Sequence, residues 1–159
     1  PCGSGYGADL LKTFGIIYEG IDRDPVALEY ARRLYGSDKA SFKIGDLSAP
    51  NLDTGRYDTI ACIEGLEHIE QKYQSPLIAA FHRALKPGGT LVISSPENPT
   101  RKSGRSTHNQ YHLWELNRAD LLELLHKHFS PQAVEIVTHK AALSTGVLTT
   151  CLYGVCHRD

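Results

Sequence analysis

The sequence alternates short apolar runs with amphipathic segments along most of its length. This alternation is typical of βαβ units, in which helices connect parallel strands. Apolar runs predict strands at residues 16–21, 40–44, 57–63 and 90–95. Segments with helical spacing of apolar residues predict helices at residues 6–14, from Pro25 to Gly36, at 76–85 and at 117–129, the last with Asn117 as its N-cap. The order of these elements favours an α/β fold built around a mostly parallel sheet.

Two β-rich runs, at residues 133–138 and 147–156, follow the last predicted helix. The short segment between them contains Ser144, Thr145 and Gly146, and such a connection predicts an antiparallel pair. A length of 159 residues with 41% hydrophobic content is sufficient for one core. We therefore expect a single domain over residues 1–159 that ends in an antiparallel hairpin.

Charge and cysteine content exclude several classes of protein. Lysine and arginine number 17 against 18 aspartate and glutamate, so no strong overall field would attract nucleic acid or an anionic membrane. The sequence has no apolar run of about 20 residues and no signal-like start, which predicts a soluble, cytoplasmic protein without a membrane span. Cys2, Cys62, Cys151 and Cys156 have no zinc or disulfide spacing and are predicted to be reduced thiols.

A glycine-rich turn near the start predicts a bound nucleoside. Residues 3–8, Gly-Ser-Gly-Tyr-Gly-Ala, fit G-x-G-x-x-[GA] and open a predicted helix, where glycines let a ligand approach the backbone. Asp22 follows nineteen residues after Gly3, at the end of the next strand. A carboxylate there can accept hydrogen bonds from both hydroxyls of a ribose. Asp46 comes after the following strand and could accept from an adenine amine, with Leu47 against the ring.

Five segments in order resemble the motifs of class I S-adenosylmethionine-dependent methyltransferases. They are Pro-Cys-Gly-Ser-Gly-Tyr-Gly, Gly-Ile-Asp-Arg-Asp-Pro, Gly-Asp-Leu, Tyr-Asp-Thr-Ile-Ala-Cys-Ile-Glu and Leu-Lys-Pro-Gly-Gly-Thr-Leu. The resemblance implies a three-layer α/β/α Rossmann-like fold and S-adenosylmethionine as cofactor. The cofactor-binding residues that it implies are Gly3, Gly5 and Gly7 for methionine and ribose, Asp22 with Arg23 for ribose, Asp46 and Leu47 for adenine, and Cys62 and Glu64 near the sulfonium.

The resemblance has two departures at the start of the chain. Pro1 stands where the family often has another glycine, and the acidic residue that usually ends the first strand is not in this sequence. We therefore expect the first strand of the sheet to be missing from this chain, so that residues 1–159 are an N-terminally incomplete domain.

The segment Glu64-Gly65-Leu66-Glu67-His68 carries a second pattern. On a helical turn, Glu64, Glu67 and His68 would lie within reach of one another and could hold a divalent ion. The segment is similar to the E-x-x-E-H of ubiquinone-biosynthesis O-methyltransferases and of small-RNA 3′-terminal 2′-O-methyltransferases, in which a later histidine, here His112, completes a metal site. The resemblance thus implies Mg or Zn at Glu64, Glu67, His68 and His112. Relatives without metal also have Leu-Glu-His here, and in either case His68 or His112 is a candidate catalytic base.

Residues 96–116 are polar, basic and without periodicity, which predicts a long functional loop. The part from His108 to Glu115 is similar to an Asn-x-x-His-x-x-Glu segment of methyltransferases of glycan and small-metabolite biosynthesis, where it covers the acceptor pocket. Tyr111 and Trp114 would also serve to anchor the loop on the core. Three basic residues could meet an acceptor phosphate or form a solvated surface: Arg101, Lys102 and Arg105.

The function predicted from these features is S-adenosylmethionine-dependent methyl transfer to an oxygen of a small-molecule, sugar or lipid-like acceptor. Three alternatives remain open: a metal-dependent RNA-terminus 2′-O-methyltransferase, an NAD-dependent dehydrogenase and a catalytically inactive binding domain. The balanced charge argues against extended nucleic acid as a partner. A dehydrogenase would share the glycine fingerprint, but its Tyr-x-x-x-Lys match, Tyr35 to Lys39, lies in a turn away from the expected site. The oligomeric state is left open by the sequence.

Overall fold

A computed structural model of the chain describes residues 1–142 and 148–159. These residues form two compact units, Pro1–Ala49 and Pro50–Asp159. The predicted connection with Ser144, Thr145 and Gly146 lies outside the described residues. In the part of the chain that is described, no helix is long and apolar enough to cross a bilayer.

The first unit consists of two helices and a two-stranded parallel sheet. In chain order the elements are α1 (Tyr6–Lys12), β1 (Tyr18–Asp22), α2 (Pro25–Tyr35) and β2 (Ala40–Ile44). The strands pair in parallel from Tyr18 opposite Ala40 to Asp22 opposite Ile44. A helix between two parallel strands is the βαβ unit that the alternating pattern predicts, and β2 has the bounds expected from the sequence.

The sequence sets the start of α2 but overstates how much of each helix is buried. Asp24 caps α2 by accepting a hydrogen bond from the Val26 N–H, and Pro25 occupies the first turn. The core of the unit contains only Ala8, Leu28, Ala31 and Phe42. Other residues of the predicted apolar stripes are exposed, among them Leu10 at 63% and Phe14 at 76%. Within this unit the helices bury the positions that pack in the cluster with Phe42.

The second unit is a four-stranded mixed sheet with two helices. Its elements are β3 (Tyr57–Cys62), a 3-10 turn (Leu66–His68), α3 (Gln71–Ala84), β4 (Leu85–Pro96), α4 (Arg118–His126), a second 3-10 turn (Pro131–Ala133), β5 (Val134–Ala142) and β6 (Leu148–His157). The strand order is β3-β4-β6-β5. β3 pairs with β4 in parallel, whereas β6 is antiparallel to both β4 and β5. The predicted antiparallel pair at the end of the chain is confirmed.

Two elements of the second unit begin earlier than the sequence predicts. α3 starts at Gln71 and contains Pro76, which is tolerated because the carbonyl that loses its partner belongs to the exposed Lys72. β4 starts at Leu85 because residues 86–89 are included in the strand as an irregularity in the pairing with β3, where Tyr57 faces Leu85 but Thr59 faces Thr90.

The core of the second unit is formed by the predicted apolar faces. α3 buries Leu77, Ile78 and Phe81, and β4 buries Leu91 and Ile93. α4 begins where Asn117 accepts a hydrogen bond from the Asp120 N–H at 2.8 Å, as predicted. This helix ends at His126, before the predicted Phe129. The buried face of α4 consists of Leu121, Leu124 and Leu125.

We expect Gly5→Ala to destabilise the protein more than Gly15→Ala does. Both glycines have positive φ, 83° and 72°, but a Cβ on Gly5 would lie 2.7 Å from the Ala31 Cβ and 2.8 Å from the Phe42 ring, whereas nothing lies within 4 Å of a Cβ on Gly15. The left-handed backbone costs about 1 kcal/mol in both variants, and the core contact raises the loss at Gly5 to roughly 3 kcal/mol. Urea unfolding measures the difference, and equal losses would contradict this account.

Candidate functional site

The glycine turn and Asp22 are joined by direct hydrogen bonds in the first unit. The Gly3 N–H donates to Asp22 Oδ2 at 2.8 Å, and the Asp24 N–H donates to Asp22 Oδ1 at 3.0 Å. The main chain of Asp22 also accepts from the Gly45 N–H at 2.9 Å. Because β1 and β2 are parallel, the glycine turn, Asp22 and Gly45 all lie at the carboxyl edge of this sheet, where ligands of α/β folds bind.

Asp46 lies at the same edge, two residues beyond the end of β2. Its Oδ1 accepts from the Ser48 N–H at 2.8 Å and from the Ser48 hydroxyl at 2.7 Å. These two hydrogen bonds lower the pKa of the exposed Asp46 carboxyl, which stays ionised and able to accept. Leu47 is half-buried and Arg23 is exposed. The structure therefore brings every predicted adenosine contact of this unit to one edge, whereas Tyr35 and Lys39 lie at the opposite end of β2.

In the second unit, Glu64 follows β3 in a strained conformation that Ser94 holds. Its φ is +49°, a region that costs a residue with a side chain of the order of 1 to 3 kcal/mol. The Glu64 N–H donates to Ser94 Oγ at 3.0 Å, and the same hydroxyl donates to Glu64 Oε1 at 2.7 Å. The Cys151 thiol also lies 3.5 Å from Oε1. Glu64 is thus fixed by reciprocal contacts at the carboxyl end of β3.

The cysteines of this unit are held in their thiol form. Burial raises the pKa of Cys62 to about 11, and burial together with the Glu64 charge raises the pKa of Cys151 to about 11. All four cysteines of the chain are free. Because the thiolate is the reactive species, these raised pKa values disfavour a nucleophilic role for Cys62 and Cys151 at neutral pH.

Glu67, His68 and His112 converge, and we call them the Glu67–His68–His112 cluster. Ligand atoms of the three side chains lie within 4.8 Å of one another. His68 Nε2 is 3.8 Å from Glu67 Oε1, and the two imidazole rings stand nearly perpendicular with centroids 5.0 Å apart. Glu64 is not part of this group. Helical i, i+3 spacing fails for Glu64 because it precedes the 3-10 turn in a left-handed conformation.

Glu67 is the least hydrated member of the cluster. It is 1% exposed, and within the described residues neither carboxylate oxygen has a hydrogen-bond partner. Burial is the main cause that raises the pKa of this carboxyl to about 7, and the nearby Glu64 charge acts in the same direction. A buried carboxyl in this state can accept a proton or a cation near neutral pH.

Backbone hydrogen bonds hold the predicted loop against the first 3-10 turn. The Glu67 carbonyl accepts from the N–H groups of Leu113, at 2.7 Å, and Trp114, at 3.2 Å. His68 Nδ1 lies 3.0 Å from the Tyr111 carbonyl oxygen. Tyr111 is 68% exposed and Trp114 is half-buried, so the main chain rather than the Tyr111 ring attaches the loop. The basic residues Arg101, Lys102 and Arg105 are exposed and lie outside the cluster.

Gln74 is a site residue that the sequence analysis missed. Its Nε2 donates to the carbonyls of Leu66 and Trp114, both at 3.1 Å, and the residue is 2% exposed. It thereby ties the 3-10 turn to the loop. A glutamine in helical phase with the buried Leu77, Ile78 and Phe81 is a polar residue on an apolar face, and this was the signal available in the sequence.

Comparison with known proteins agrees with these features. The model of the methyltransferase domain family matches residues 1–93. A probable S-adenosylmethionine-dependent methyltransferase of Mycolicibacterium smegmatis is 33% identical over 125 residues, 78% of this chain and 47% of that protein. A ubiquinone biosynthesis O-methyltransferase of Xanthomonas oryzae pv. oryzae is 32% identical over 99 residues, 59% of this chain and 40% of that protein. The chain thus spans less than half the length of these curated relatives.

The fold is also similar to that of a known methyltransferase. The crystal structure of an S-adenosylmethionine-dependent methyltransferase from Methanosarcina mazei covers 99% of this chain, and the match covers 89% of that chain with a TM-score of 0.78 at 19% identity. The family match includes more than half of the residues, with the glycine turn and both edge aspartates inside it. The chain therefore belongs to the class I S-adenosylmethionine-dependent methyltransferases.

Proposed function

We propose that the protein transfers the methyl group of S-adenosylmethionine to a hydroxyl oxygen of a small-molecule, sugar or lipid-like acceptor. The observation that carries the proposal is the Glu67–His68–His112 cluster, because an alcohol must lose its proton as it is methylated. Two imidazoles beside a buried carboxyl are suited to receiving that proton. The similarity to a ubiquinone biosynthesis O-methyltransferase supports an oxygen acceptor.

The carboxyl edge of the first unit would bind the adenosyl part of the cofactor. Asp22 would accept hydrogen bonds from the ribose hydroxyls while it keeps the Gly3 N–H, since each carboxylate oxygen can accept more than one bond. Asp46 and Leu47 would contact the adenine, with Arg23 beside them and Gly5 and Gly7 along the turn. Cys62 and Glu64 remain predicted as residues near the sulfonium.

The cluster also fits a divalent cation. One carboxylate and two imidazoles form a donor set that suits Zn²⁺ better than Mg²⁺, which prefers oxygen ligands. The two unpartnered oxygens of Glu67 supply negative charge that a cation would neutralise. Glu67, His68 and His112 would hold the ion, and Glu64 would join only by leaving Ser94. Such an ion would lower the pKa of an acceptor hydroxyl.

In the metal-free form of the reaction, His68 is placed to take the proton through Nε2. Its Nδ1 faces the Tyr111 carbonyl oxygen, which can only accept, so the neutral ring carries its proton on Nδ1. The lone pair of Nε2 is then available to the acceptor hydroxyl. The oxygen attacks the methyl carbon, the carbon–sulfur bond breaks, and S-adenosylhomocysteine leaves with the electron pair. Orientation of the two substrates supplies most of the rate enhancement.

We expect Asp22→Ala to weaken binding of S-adenosylhomocysteine roughly 10- to 100-fold, because the ribose would lose a charged acceptor. Isothermal titration calorimetry measures the affinity. Asp38→Ala is the matched control, since it removes an exposed aspartate just before β2, at the opposite edge of the same sheet. An unchanged affinity in Asp22→Ala would overturn the cofactor assignment, and an equal loss in the control would show that the effect is not local.

We expect the protein to bind one Zn²⁺ per chain and His112→Asn to weaken that binding at least about tenfold, because a ligand is lost. Titration calorimetry with Zn²⁺ and Mg²⁺ measures the affinities. His108→Asn, in the same loop but exposed and outside the cluster, should leave the Zn²⁺ affinity unchanged. Absence of saturable binding to the wild-type protein would refute the metal site and leave the histidine base as the mechanism.

We expect Glu67→Gln to stabilise the metal-free protein at pH 8 and to have little effect at pH 4.5. The Glu67 pKa is about 7 in the folded protein against an ordinary value of 4.5. Between these two pKa values the folded state binds more protons than the unfolded state, so the free energy of unfolding falls as pH rises through this interval. Above the interval the protein carries the whole cost of keeping the buried carboxylate ionised. Glutamine has no such penalty, and the gain at pH 8 is on the order of 3 kcal/mol.

Thermal and urea unfolding across this pH range, with chelator present, test the Glu67 prediction. Glu29→Gln makes the same charge change on the exposed side of α2 and should show no comparable pH-dependent gain. A stability difference between Glu67→Gln and wild type that does not change with pH would mean that Glu67 is not the titrating group.

A further inference from the structure

Three side chains of the loop form a continuous chain of hydrogen bonds that runs from Asn109 through His112 to Glu115. Asn109 Nδ2 lies 2.9 Å from His112 Nε2, and His112 Nδ1 lies 2.6 Å from Glu115 Oε1. Both nitrogens of the ring are thus engaged, one by an amide and one by a carboxylate. Glu115 belongs neither to the Glu67–His68–His112 cluster nor to the predicted site residues.

The donor and the acceptor in each of these hydrogen bonds follow from a contact with the backbone. The Tyr111 N–H donates to Asn109 Oδ1 at 3.0 Å, which fixes the amide with its oxygen toward the main chain and its nitrogen toward His112. An amide nitrogen only donates, so His112 Nε2 must accept. The neutral ring therefore carries its proton on Nδ1 and donates it to Glu115. The Asn109 amide and the Glu115 carboxylate favour the same tautomer.

Burial and backbone hydrogen bonds fix the position of Glu115. The residue is 4% exposed, and its backbone exchanges two hydrogen bonds with Gly104, at 2.8 and 2.9 Å. Within the described residues its second carboxylate oxygen, Oε2, is buried without a partner. A buried carboxylate with one close partner interacts strongly with that partner, because the low local dielectric strengthens the bond.

We propose that Glu115 is a positioning residue that locks His112 in the Nδ1-protonated tautomer, so that Nε2 is the nitrogen presented to an acceptor hydroxyl or a cation when the Asn109 amide turns aside. The role of His112 in this statement rests on the proposed function. His68 is set in the same tautomer by the Tyr111 carbonyl. Both rings would then present Nε2, one of the two imidazole nitrogens that can bind a proton or a cation.

The tautomer can be observed without any acceptor. We expect nitrogen-15 spectra of the histidine-labelled, full-length protein at pH 8, with S-adenosylhomocysteine and chelator, to show a protonated Nδ1 and an unprotonated Nε2 for His112. His112→Asn identifies the signals. A wild-type ring protonated on Nε2, or one averaging between tautomers, would overturn the proposal whatever the enzyme methylates.

Two variants separate positioning from a structural role. Glu115→Met keeps the length of the side chain but removes the acceptor, so the His112 signals should shift toward a mixture of tautomers. Glu115→Gln keeps an acceptor oxygen and should retain the wild-type tautomer. Zn²⁺ affinity is expected to fall about 10- to 100-fold in Glu115→Met, as for other partners of metal-binding histidines, while S-adenosylhomocysteine affinity stays unchanged.

The outcomes of this experiment are distinct from those for the proposed function. Wild-type signals in Glu115→Met would refute the positioning role, even if methyl transfer and metal binding were found. The expected tautomers together with no Zn²⁺ binding would support Glu115 as the positioning residue and reject only the ion. Exposed Glu123→Gln is the control for charge, and it should leave the His112 signals as in wild type.

Discussion

The candidate catalytic site depends on the attachment of one irregular loop to one short turn. The Glu67 carbonyl accepts two N–H groups of the loop, and Gln74 bonds to a carbonyl on each side. Each bond contributes on the order of 1 kcal/mol, whereas ordering one loop residue costs a similar amount. Three of these four bonds reach Leu113 or Trp114 of the loop, and the fourth ties Gln74 to Leu66 of the turn, so together they hold this part of the loop in register. Without them, His112 would not meet His68.

Each unit places a residue with left-handed backbone where a ligand would bind. Gly5 adopts a left-handed conformation packed against Ala31 and Phe42, where a side chain has no room. Glu64 adopts the same region despite its side chain, and Ser94 supplies both a donor and an acceptor to it. Sharp turns at the carboxyl ends of strands aim side chains and N–H groups away from the sheet, which is why strain collects at such positions.

Sequence reasoning succeeded where structure is set by neighbouring residues. The bounds of β2, the Asn117 cap and the terminal antiparallel pair follow from periodicity and turn chemistry, which act over a few residues. It failed where distant contacts decide. The exposure of Leu10 and Phe14 depends on how much sheet the helices can cover, and the separation of Glu64 from the cluster depends on a hydroxyl 30 residues away.

The site residues show the same division. The E-x-x-E-H pattern and the later histidine predicted that Glu67, His68 and His112 lie together, and the structure brings their ligand atoms within 4.8 Å of one another. Gln74 was not predicted as a site residue, and its position on an apolar helical face was the local signal for it. Glu115 entered the sequence analysis only as the last residue of the Asn-x-x-His-x-x-Glu segment, without a role toward His112. Contacts between a site residue and the residue that supports it are hard to predict from a sequence, because no periodic pattern specifies them.

The two buried acids near His112, Glu67 and Glu115, differ in their hydrogen-bond partners, and this difference explains why different roles are proposed for them. Within the described residues, neither Glu67 nor Glu115 is paired with a lysine or arginine. Glu115 has a close imidazole N–H as partner at 2.6 Å, and this hydrogen bond fixes the carboxylate in place. In the part of the chain that the structure describes, the carboxylate oxygens of Glu67 have no hydrogen-bond partner, so the ionised carboxylate raises the free energy of the folded protein until a proton or cation arrives. A carboxylate with a fixed hydrogen-bond partner can orient that partner. A carboxylate without one can bind a proton or a cation. With one of each near the same histidine, Glu115 holds the ring through Nδ1, and Nε2 becomes available to a ligand when the Asn109 amide turns aside.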